Sequence, residues 1–563
     1  MDNLFPFVIF FGGAVLAAGT KGTVRSVIML LIPLAGAYNL YHIPMGADVS
    51  IGLFEYNLTV LRVDKLSLIF GYLFHLAAFL GIIYSLHVRD TTQHVAGLIY
   101  AGSALGAVFA GDLITLFVFW EMLAISSVFL ILARRTERAY NAAMRYLLVQ
   151  VLSGVLLLAG ALIIAHETGS IAFDMIGLHG TGSWLIFIAF GIKCAFPMFH
   201  NWLTDAYPEA TPSGTVFLSA FTTKVAVYAL ARGFAGTEIL VYIGATMAMF
   251  PIFFAVIEND LRRVLAYSLI NQVGFMVVGI GIGTELALNG AVSHAFNDVV
   301  FKGLLFMTMG AVLYRTGKIN GSELGNLYKS MPWTTGFCIV GAASISAFPL
   351  FSGFVSKSMV MVAALDGGHD IVWLALLFAS AGVFHHAGIK IPFFAFFAHE
   401  SGIRCQEAPR NMLIAMGLAA IICIFNGSYP WVLYSMLPYS VDYIPYTASH
   451  VLLQSQLLFF SALAFCLLKL WHIYPPELPS VNLDVEWIYR RLAPGIVQPL
   501  TRSIANVDAS IRRNALGFVG GVMRWVERHH GLDGMLAKSY PAGVMVSWMV
   551  GLLFIYLILY LSS

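Results

Sequence analysis

Apolar runs of about 20 residues, the length that crosses a bilayer, follow one another along most of the chain with few polar residues between them. They predict roughly fifteen to seventeen spans, among them 4–20, 27–43, 67–87, 93–111, 112–133, 141–166, 183–200, 211–233, 237–257, 263–284, 287–314, 371–397, 411–428, 448–471 and 542–560. One long stretch, 473–541, departs from this pattern. Within it Ile496, Leu500, Ile504, Val507, Ile511, Ala515, Phe518, Val522 and Trp525 recur at steps of three or four. That spacing makes one apolar stripe on a helix, and Arg502, Asp508, Arg512, Arg513, Arg524 and Arg528 fall on the other faces. Such a helix reaches on the order of 45 Å. It reads either as an interfacial helix on lipid headgroups or as a strut along the bundle or a partner subunit, with 542–560 as its anchor.

Composition agrees. Of 563 residues, 59% are hydrophobic and 11% charged, against about 25% charged in soluble domains. The fold class is therefore all-α and polytopic. The net charge of +2 and the lack of any basic run with interleaved aromatics point to no nucleic-acid partner. Cys194, Cys338, Cys405, Cys423 and Cys466 form no CxxC pair, so neither a disulfide framework nor a zinc or iron–sulfur site is expected. With no P-loop, dinucleotide fingerprint or haem signature, no cofactor is expected. The start, MDNLFPFVIFFGGAVLAAG, lacks a basic n-region and reads as a first span, not a cleaved signal. Arg134, Arg135, Arg138 and Arg145 crowd one short connection and Arg262 with Arg263 another, which places both on the cytoplasmic side.

Several spans carry ionisable residues. Glu121 lies near the centre of ITLFVFWEMLAISSVFLIL, where a charge costs roughly 2.5 to 3.5 kcal/mol on insertion scales. Lys193, Lys224, Lys302 and Lys357 lie in other apolar segments, as do His385, His386 and Lys390. His294, Asp298 and Lys302 are spaced by four and share one helix face. A charged stripe there faces the bundle interior or a wet cavity and has the spacing of a proton relay. Lysines near span ends also snorkel to headgroups, which is the bland alternative for Lys390 and Lys357. A static buried ion pair is the alternative for Glu121. A lone buried histidine is most often structural, so His385 and His386 are left unassigned.

Two spans look broken. Pro208, Pro212, Ser213 and Gly214 precede Lys224, and Pro349, Ser352 and Gly353 precede Lys357. Proline and glycine in corresponding places of two halves point to discontinuous helices in a repeat-built transporter. The echo AFPMF (195–199) and AFPLF (347–351) is offset differently from these two breaks and supports a repeat without locating it.

The segments FAGDLITLFVFWEM, GIKCAFPMFHNWLTDAYPEATPSG, ENDLRRVLAYSLINQVGF, HAFNDVVFKGLLF and AFPLFSGFVSK resemble the antiporter-like membrane subunits shared by respiratory complex I, membrane-bound hydrogenases and multisubunit Mrp cation/proton antiporters. The resemblance covers about residues 60–400, starting at VDKLSLIF, and its wording is nearest the Mrp D-type subunit. It implies about fourteen core transmembrane helices, with two inverted five-helix repeats that each contain a broken helix. It also implies a domain order of 1–92 N-terminal helices, 93–257 first repeat, 258–400 second repeat, 401–472 additional helices, 473–541 lateral amphipathic region and 542–563 anchor. Carried over by motif, Glu121 matches the acid paired with a lysine, Lys224 that lysine, and Lys193 the lysine before FPMFHNWL. His294 and Lys302 match the central relay, and Lys357 matches the terminal group. The family often has histidine where this chain has Asp298 and Tyr207, and histidine or glutamine at Gln272. Asp298 keeps the relay titratable and adds an oxygen ligand for a transient Na⁺; no resident metal is expected.

The mechanism this suggests is a switch. At about 4 Å and an effective dielectric of about 20, a Glu121–Lys224 attraction is about 4 kcal/mol, comparable with desolvation. Glu121 swinging away would release a proton from Lys224 to His294, Asp298 and Lys302, with Lys357 exchanging at the far side and Lys193 tuning Glu121. Three functions compete: an ion-translocating subunit of a monovalent cation (Na⁺)/proton antiporter, not itself an enzyme; a proton-pumping subunit of a complex I-like NADH:quinone oxidoreductase or membrane hydrogenase; and the membrane partner of a proton-coupled inorganic-carbon uptake complex. All imply partner membrane subunits, protons and monovalent cations, and a multi-pass location in a bacterial inner (plasma) membrane.

Overall fold

The structure, a computed structural model, describes residues 4–53, 56–479 and 482–562. It divides into two units, Met1–Asn482 and Leu483–Ser563. Among the described residues, 12 helices are long and apolar enough to cross a membrane, and Pro6–Gly19 and Gly180–Cys194 are shorter apolar helices. The chain is a multi-pass membrane protein, and among the described residues its regular structure is helical apart from one antiparallel strand pair, Asp48–Leu53 with Tyr56–Arg62. Hydropathy scanning passes over this hairpin because its strands are short. It is tied down where the Gly111 amide donates to Thr59 O at 2.9 Å and Arg62 pairs with Asp174 at 2.7 Å.

Asp64 follows the hairpin and caps helix Lys65–Ser85 in a capping box with Ser67. Burial alone would raise its pKa. The Arg232 guanidinium, bonded at 2.9 and 2.7 Å, and the Ser67 amide hold it below the usual carboxylate range.

A repeat organises the centre of the first unit. Helix Glu137–Thr168 has 32 residues, is capped by Thr136 accepting from Ala139 N, and ends at Gly169 with φ 70°. Helix Glu285–Thr316 also has 32 residues, is capped by Thr284 accepting from Ala287 N, and ends at Gly317 with φ 69°. Threonine at the start satisfies an orphan amide, and glycine in the left-handed region stops the helix. The interval, 148 residues (284 minus 136), recurs elsewhere. The isolated bridge Asp112–Ala172 repeats as Asp260–Asn320. Asp112 and Asp260 each cap the helix that follows, Leu113–Leu132 and Leu261–Ile282. Helix Thr91–Phe109 answers to Ile239–Ile257 at the same interval. The expected boundary at 258 leaves this last helix in the first repeat, but the spacing aligns it with the start of the second.

The broken helices differ from expectation in one half. In the second half, helix Pro332–Ile345 stops, AFPLF turns, and helix Ser352–Asp366 resumes. In the first half the break is AFPMF, between Gly180–Cys194 and Asn201–Ala206, and not the Pro208–Gly214 stretch. Ala195 and Met198 have φ 63° and 73°, and Ala347 and Leu350 have φ 59° and 73°. The two pentapeptides thus adopt the same turn. Pro212 opens a helix at its first position with Thr211 as cap, where a missing N–H costs nothing. That helix, Pro212–Ala220, is itself interrupted at Phe221 before Thr222–Gly233.

The arginines used to orient the chain also fasten the 205–215 segment. Arg145 pairs with Asp205 at 2.7 Å and Arg138 with Glu209 at 2.7 Å. Arg134 donates to Pro208 O at 2.6 Å. Arg262, fully buried, donates to the Pro208 and Ala210 carbonyls at 3.0 and 3.1 Å.

In the second unit, helix Ala493–His530 runs for 38 residues, about 57 Å at 1.5 Å per residue. Helix Ala542–Ser562 follows it.

Candidate ion-translocation site

The sequence-derived residues fall into two groups. The first surrounds Glu121, on helix Leu113–Leu132. One carboxylate oxygen of Glu121 is buried without a hydrogen-bond partner, and the side chain lies against Gly154 of the long first-repeat helix. The cation acting on Glu121 is Lys193, at the end of the half-helix before AFPMF. Lys193 is fully buried, donates to Trp120 O and lies 4.6 Å from the Trp120 ring centroid. Lys224 pairs instead with Asp298, so the Glu121–Lys224 pair expected from the motif is not formed. Lys193 is close to the break that the first half uses, whereas Lys224 belongs to the next helix.

The second group is an ion pair with satellites. Lys224 Nζ lies 2.6 Å from Asp298 Oδ2, and both side chains are wholly excluded from solvent. Neither carboxylate oxygen meets hydrogen-bond geometry, so the contact is chiefly electrostatic. Lys224 also reaches Ser219 O at 3.4 Å, a carbonyl left near the interruption at Phe221. One turn either side of Asp298 on Glu285–Thr316, His294 Nδ1 lies 3.0 Å from Ser356 Oγ and Lys302 donates to Ser268 Oγ at 2.8 Å. His294 and Lys302 are fully buried. Lys357 is 2% exposed and does not snorkel. It donates to Ile345 O at 3.1 Å and sits 4.9 Å from the Phe275 ring centroid. Ile345 holds the place before AFPLF that Lys193 holds before AFPMF, so each pentapeptide break has an ammonium beside it. Asp298 acts electrostatically on Lys302 and Lys357 as well as Lys224. One carboxylate thus serves three cations.

This arrangement can move protons. Ammonium, imidazole and carboxylate groups lie close together, excluded from solvent, and several have buried polar atoms without protein partners. His294 Nε2 and Gln272 Oε1 are among these. A buried, paired charge is retained at a cost of several kcal/mol per ion, which a purely structural core avoids with apolar residues.

Other participants leave no mark in the sequence. Ser268 and Ser356 are ordinary helix serines there, and only the packing shows them bonded to Lys302 and His294. Gln150 holds, 148 residues earlier, the place of Asp298, and is fully buried with its amide unpartnered. The aligned caps Thr136 and Thr284 would have exposed that correspondence. Lys390 is fully buried and pairs with Glu477 at 3.0 Å; it does not reach for headgroups.

Comparison with known proteins supplies the context. Residues 110–383 match the family described as NADH:quinone oxidoreductase/Mrp antiporter, TM. The chain is 27% identical over 420 residues to hydrogenase-4 component B of Escherichia coli (strain K12), covering 66% of this chain and 62% of that protein. It is 30% identical over 316 residues to the D-type Na⁺/H⁺ antiporter subunit of Alkalihalophilus pseudofirmus, covering 52% and 64% respectively. Among solved structures, the Mrp complex from Dietzia sp. DQ12-45-1b superposes with a TM-score of 0.77 at 25% identity, over 92% of this chain and 62% of that one. The chain spans just under two thirds of the length of these relatives.

Proposed function

We propose that this chain, whose residues 110–383 match the family described as NADH:quinone oxidoreductase/Mrp antiporter, TM and which is similar to Mrp antiporter subunits, carries protons through a multisubunit monovalent cation/proton antiporter in a bacterial plasma membrane. The observation that carries the reading is the buried Lys224–Asp298 pair. It joins the last helix of the first repeat to the long helix of the second, where repeat-built transporters place their sites. Glu121 and Lys193 form the first exchanging couple. Lys224 passes its proton when Asp298 turns to Lys302 or Lys357, and His294 bridges along the same helix face. Lys357, beside the second break, exchanges with the opposite half-channel. Asp298 is also the group for which an entering Na⁺ would compete with Lys224. Partner subunits supply the rest of the cation path, as the names of the antiporter relatives suggest.

The test uses everted vesicles from an antiporter-deficient host expressing the gene with its neighbours. A respiration-driven pH gradient is set up and Na⁺, K⁺ or Li⁺ is added. A cation-specific collapse, abolished in Glu121→Gln and Lys224→Ala, is the expected result. The hydrogenase-4 relative supports a second reading, a proton-pumping subunit of a redox complex. No collapse with any cation, with iron–sulfur clusters in the purified assembly, would establish that one instead.

A further inference from the structure

The proposed relay leaves a second cluster of buried polar groups unused. Helix Asp370–Val383 runs into a wide-turn segment, Phe384–Lys390. Such insertions re-aim side chains and cluster at functional sites. Here the segment carries His385, His386 and Lys390.

Lys390 is fully spoken for. Its ammonium has three N–H groups, and it donates to Ala255 O, Val256 O and Glu258 O at 3.2, 2.7 and 2.6 Å. These are carbonyls at the C-terminal end of helix Ile239–Ile257, where orphan acceptors and the helix dipole favour a cation. Glu477 Oε1 lies 3.0 Å from the same ammonium, yet neither Glu477 oxygen has hydrogen-bond geometry. Lys390 therefore neutralises Glu477 without filling it. Glu477 is 5% exposed at its side chain, and burial raises its pKa above the usual carboxylate range against the pull of Lys390.

Unpartnered atoms continue inward from Glu477. Tyr474 Oη and His385 Nε2 are buried without partners, and the His385 and Tyr474 rings lie 5.4 Å apart. His386 adjoins His385 and is fully buried, with the Gly382 carbonyl of the preceding turn as the backbone group acting on its ring. It lies within electrostatic range of Lys302, the last relay residue on helix Glu285–Thr316. At the outer end, Glu258 accepts from Asn482 at 3.3 Å and sits 3.8 Å from Arg263, in the loop whose arginines mark the cytoplasmic side. Buried polar atoms without protein partners, Tyr474 Oη and His385 Nε2 among them, each cost about 1–3 kcal/mol in a dry core, a cost that water in the branch removes.

We propose that His386, His385, Tyr474 and Glu477 form a hydrated branch that carries protons between Lys302 and the cytoplasmic face. His386 takes a proton at one ring nitrogen and releases one from the other. Glu477 binds it as a neutral acid and gives it to water at the rim, recovering its charge beside Lys390. The net charge of the branch is unchanged after each passage. The proposal rests on the proton-carrying function given above. Glu477 and both histidines lie beyond the family-matched region, 110–383.

Two measurements test it on the full complex in everted vesicles, whose cytoplasmic face is outward. In the first, His386→Phe and Glu477→Gln lower cation-driven gradient collapse at least about tenfold, as expected for loss of a proton-transfer group, and Glu477→Asp restores most of it. In the second, His386→Cys, in a background with the five native cysteines changed to serine, reacts with a small charged methanethiosulfonate added outside. Wild-type transport in both loss variants, with no reaction of the introduced thiol, overturns the branch while leaving the relay standing if Glu121→Gln still abolishes transport. A wild-type complex without cation-driven collapse overturns the antiporter reading and, with it, the part of the branch in antiport. Because the thiol reaction needs only insertion, a reactive thiol with no transport in wild type would assign the hydrated path but refute its proton role in antiport.

Discussion

The two repeats share a backbone and divide the charges differently. Both have a long helix of 32 residues with a threonine cap and a glycine stop, and both turn through an AFP pentapeptide with the same two left-handed residues. In the first repeat the acid is on the shorter helix, at Glu121, and the long helix carries Tyr146, Gln150 and Gly154. In the second repeat the corresponding positions are Leu269 on the shorter helix and His294, Asp298 and Lys302 on the long one. Gly154 leaves the room that Glu121 occupies. Lys302, in its place, turns to Ser268, the counterpart of Trp120. An ion path built this way is not two copies of one half-channel. In the proposed path the charged groups change helix where the repeats meet, at Lys224–Asp298.

The strongest way to break the comparison is at the junction. Lys224→Ala strands Asp298 without its partner in a fully excluded site, which for buried pairs costs about 3–5 kcal/mol. Transport should fall to background, and the assembled complex should be recovered in lower yield. Lys224→Ala with Asp298→Asn should recover the yield but not the transport. If the double variant transported protons at the wild-type rate, the junction would be scaffold and the two halves would work separately.

A smaller effect sharpens the division of charge. A methyl at Gly154 would collide with the Glu121 carboxylate, whereas Gly303, near Lys302 on the matching helix, has open space around it. Gly154→Ala should therefore reduce gradient collapse about tenfold, through a misplacement of the kind that costs about 10²-fold at its worst. Gly303→Ala should leave transport unchanged, since alanine is the better helix former by about 1 kcal/mol. Equal losses in both would mean that helix packing, and not the Glu121 site, is being read.

Much of this was legible in sequence because membrane helices are written in composition. The spans, the Glu285–Thr316 relay face and the second break follow from apolar length, a period of four, and Pro–Gly placement. Pairing was not legible. Glu121 is nearer Lys193 in sequence, but a motif reading gave it to Lys224, since nothing in the residues shows which ammonium turns inward. The Pro208–Gly214 stretch looks like a helix break and is a loop with a helix start, because proline serves both roles. Glu477 and Lys390 are 87 positions apart (477 minus 390), and a contact of that range leaves no periodic trace. The hairpin was missed because two strands of 6 and 7 residues are below the window that finds spans.

The smallest effect tests the shared backbone itself. Thr136 and Thr284 each accept one amide of the first turn, from Ala139 at 3.1 Å and from Ala287 at 3.3 Å. Each is followed by an acid, Glu137 and Glu285, placed favourably against the helix dipole. Removing a threonine cap costs about 1 kcal/mol, equivalent to about a fivefold change in a local opening equilibrium. Thr136→Ala and Thr284→Ala should therefore speed amide exchange in their own first turns by similar factors, and neither should alter transport measurably. The equality is what matters. The caps belong to the scaffold that the repeats hold in common, and no charged group of the relay touches them. A much larger change at Thr284 than at Thr136 would show that the second repeat depends on its cap to hold the His294–Asp298–Lys302 face in register, and the scaffold could then no longer be treated as indifferent to the charges it carries.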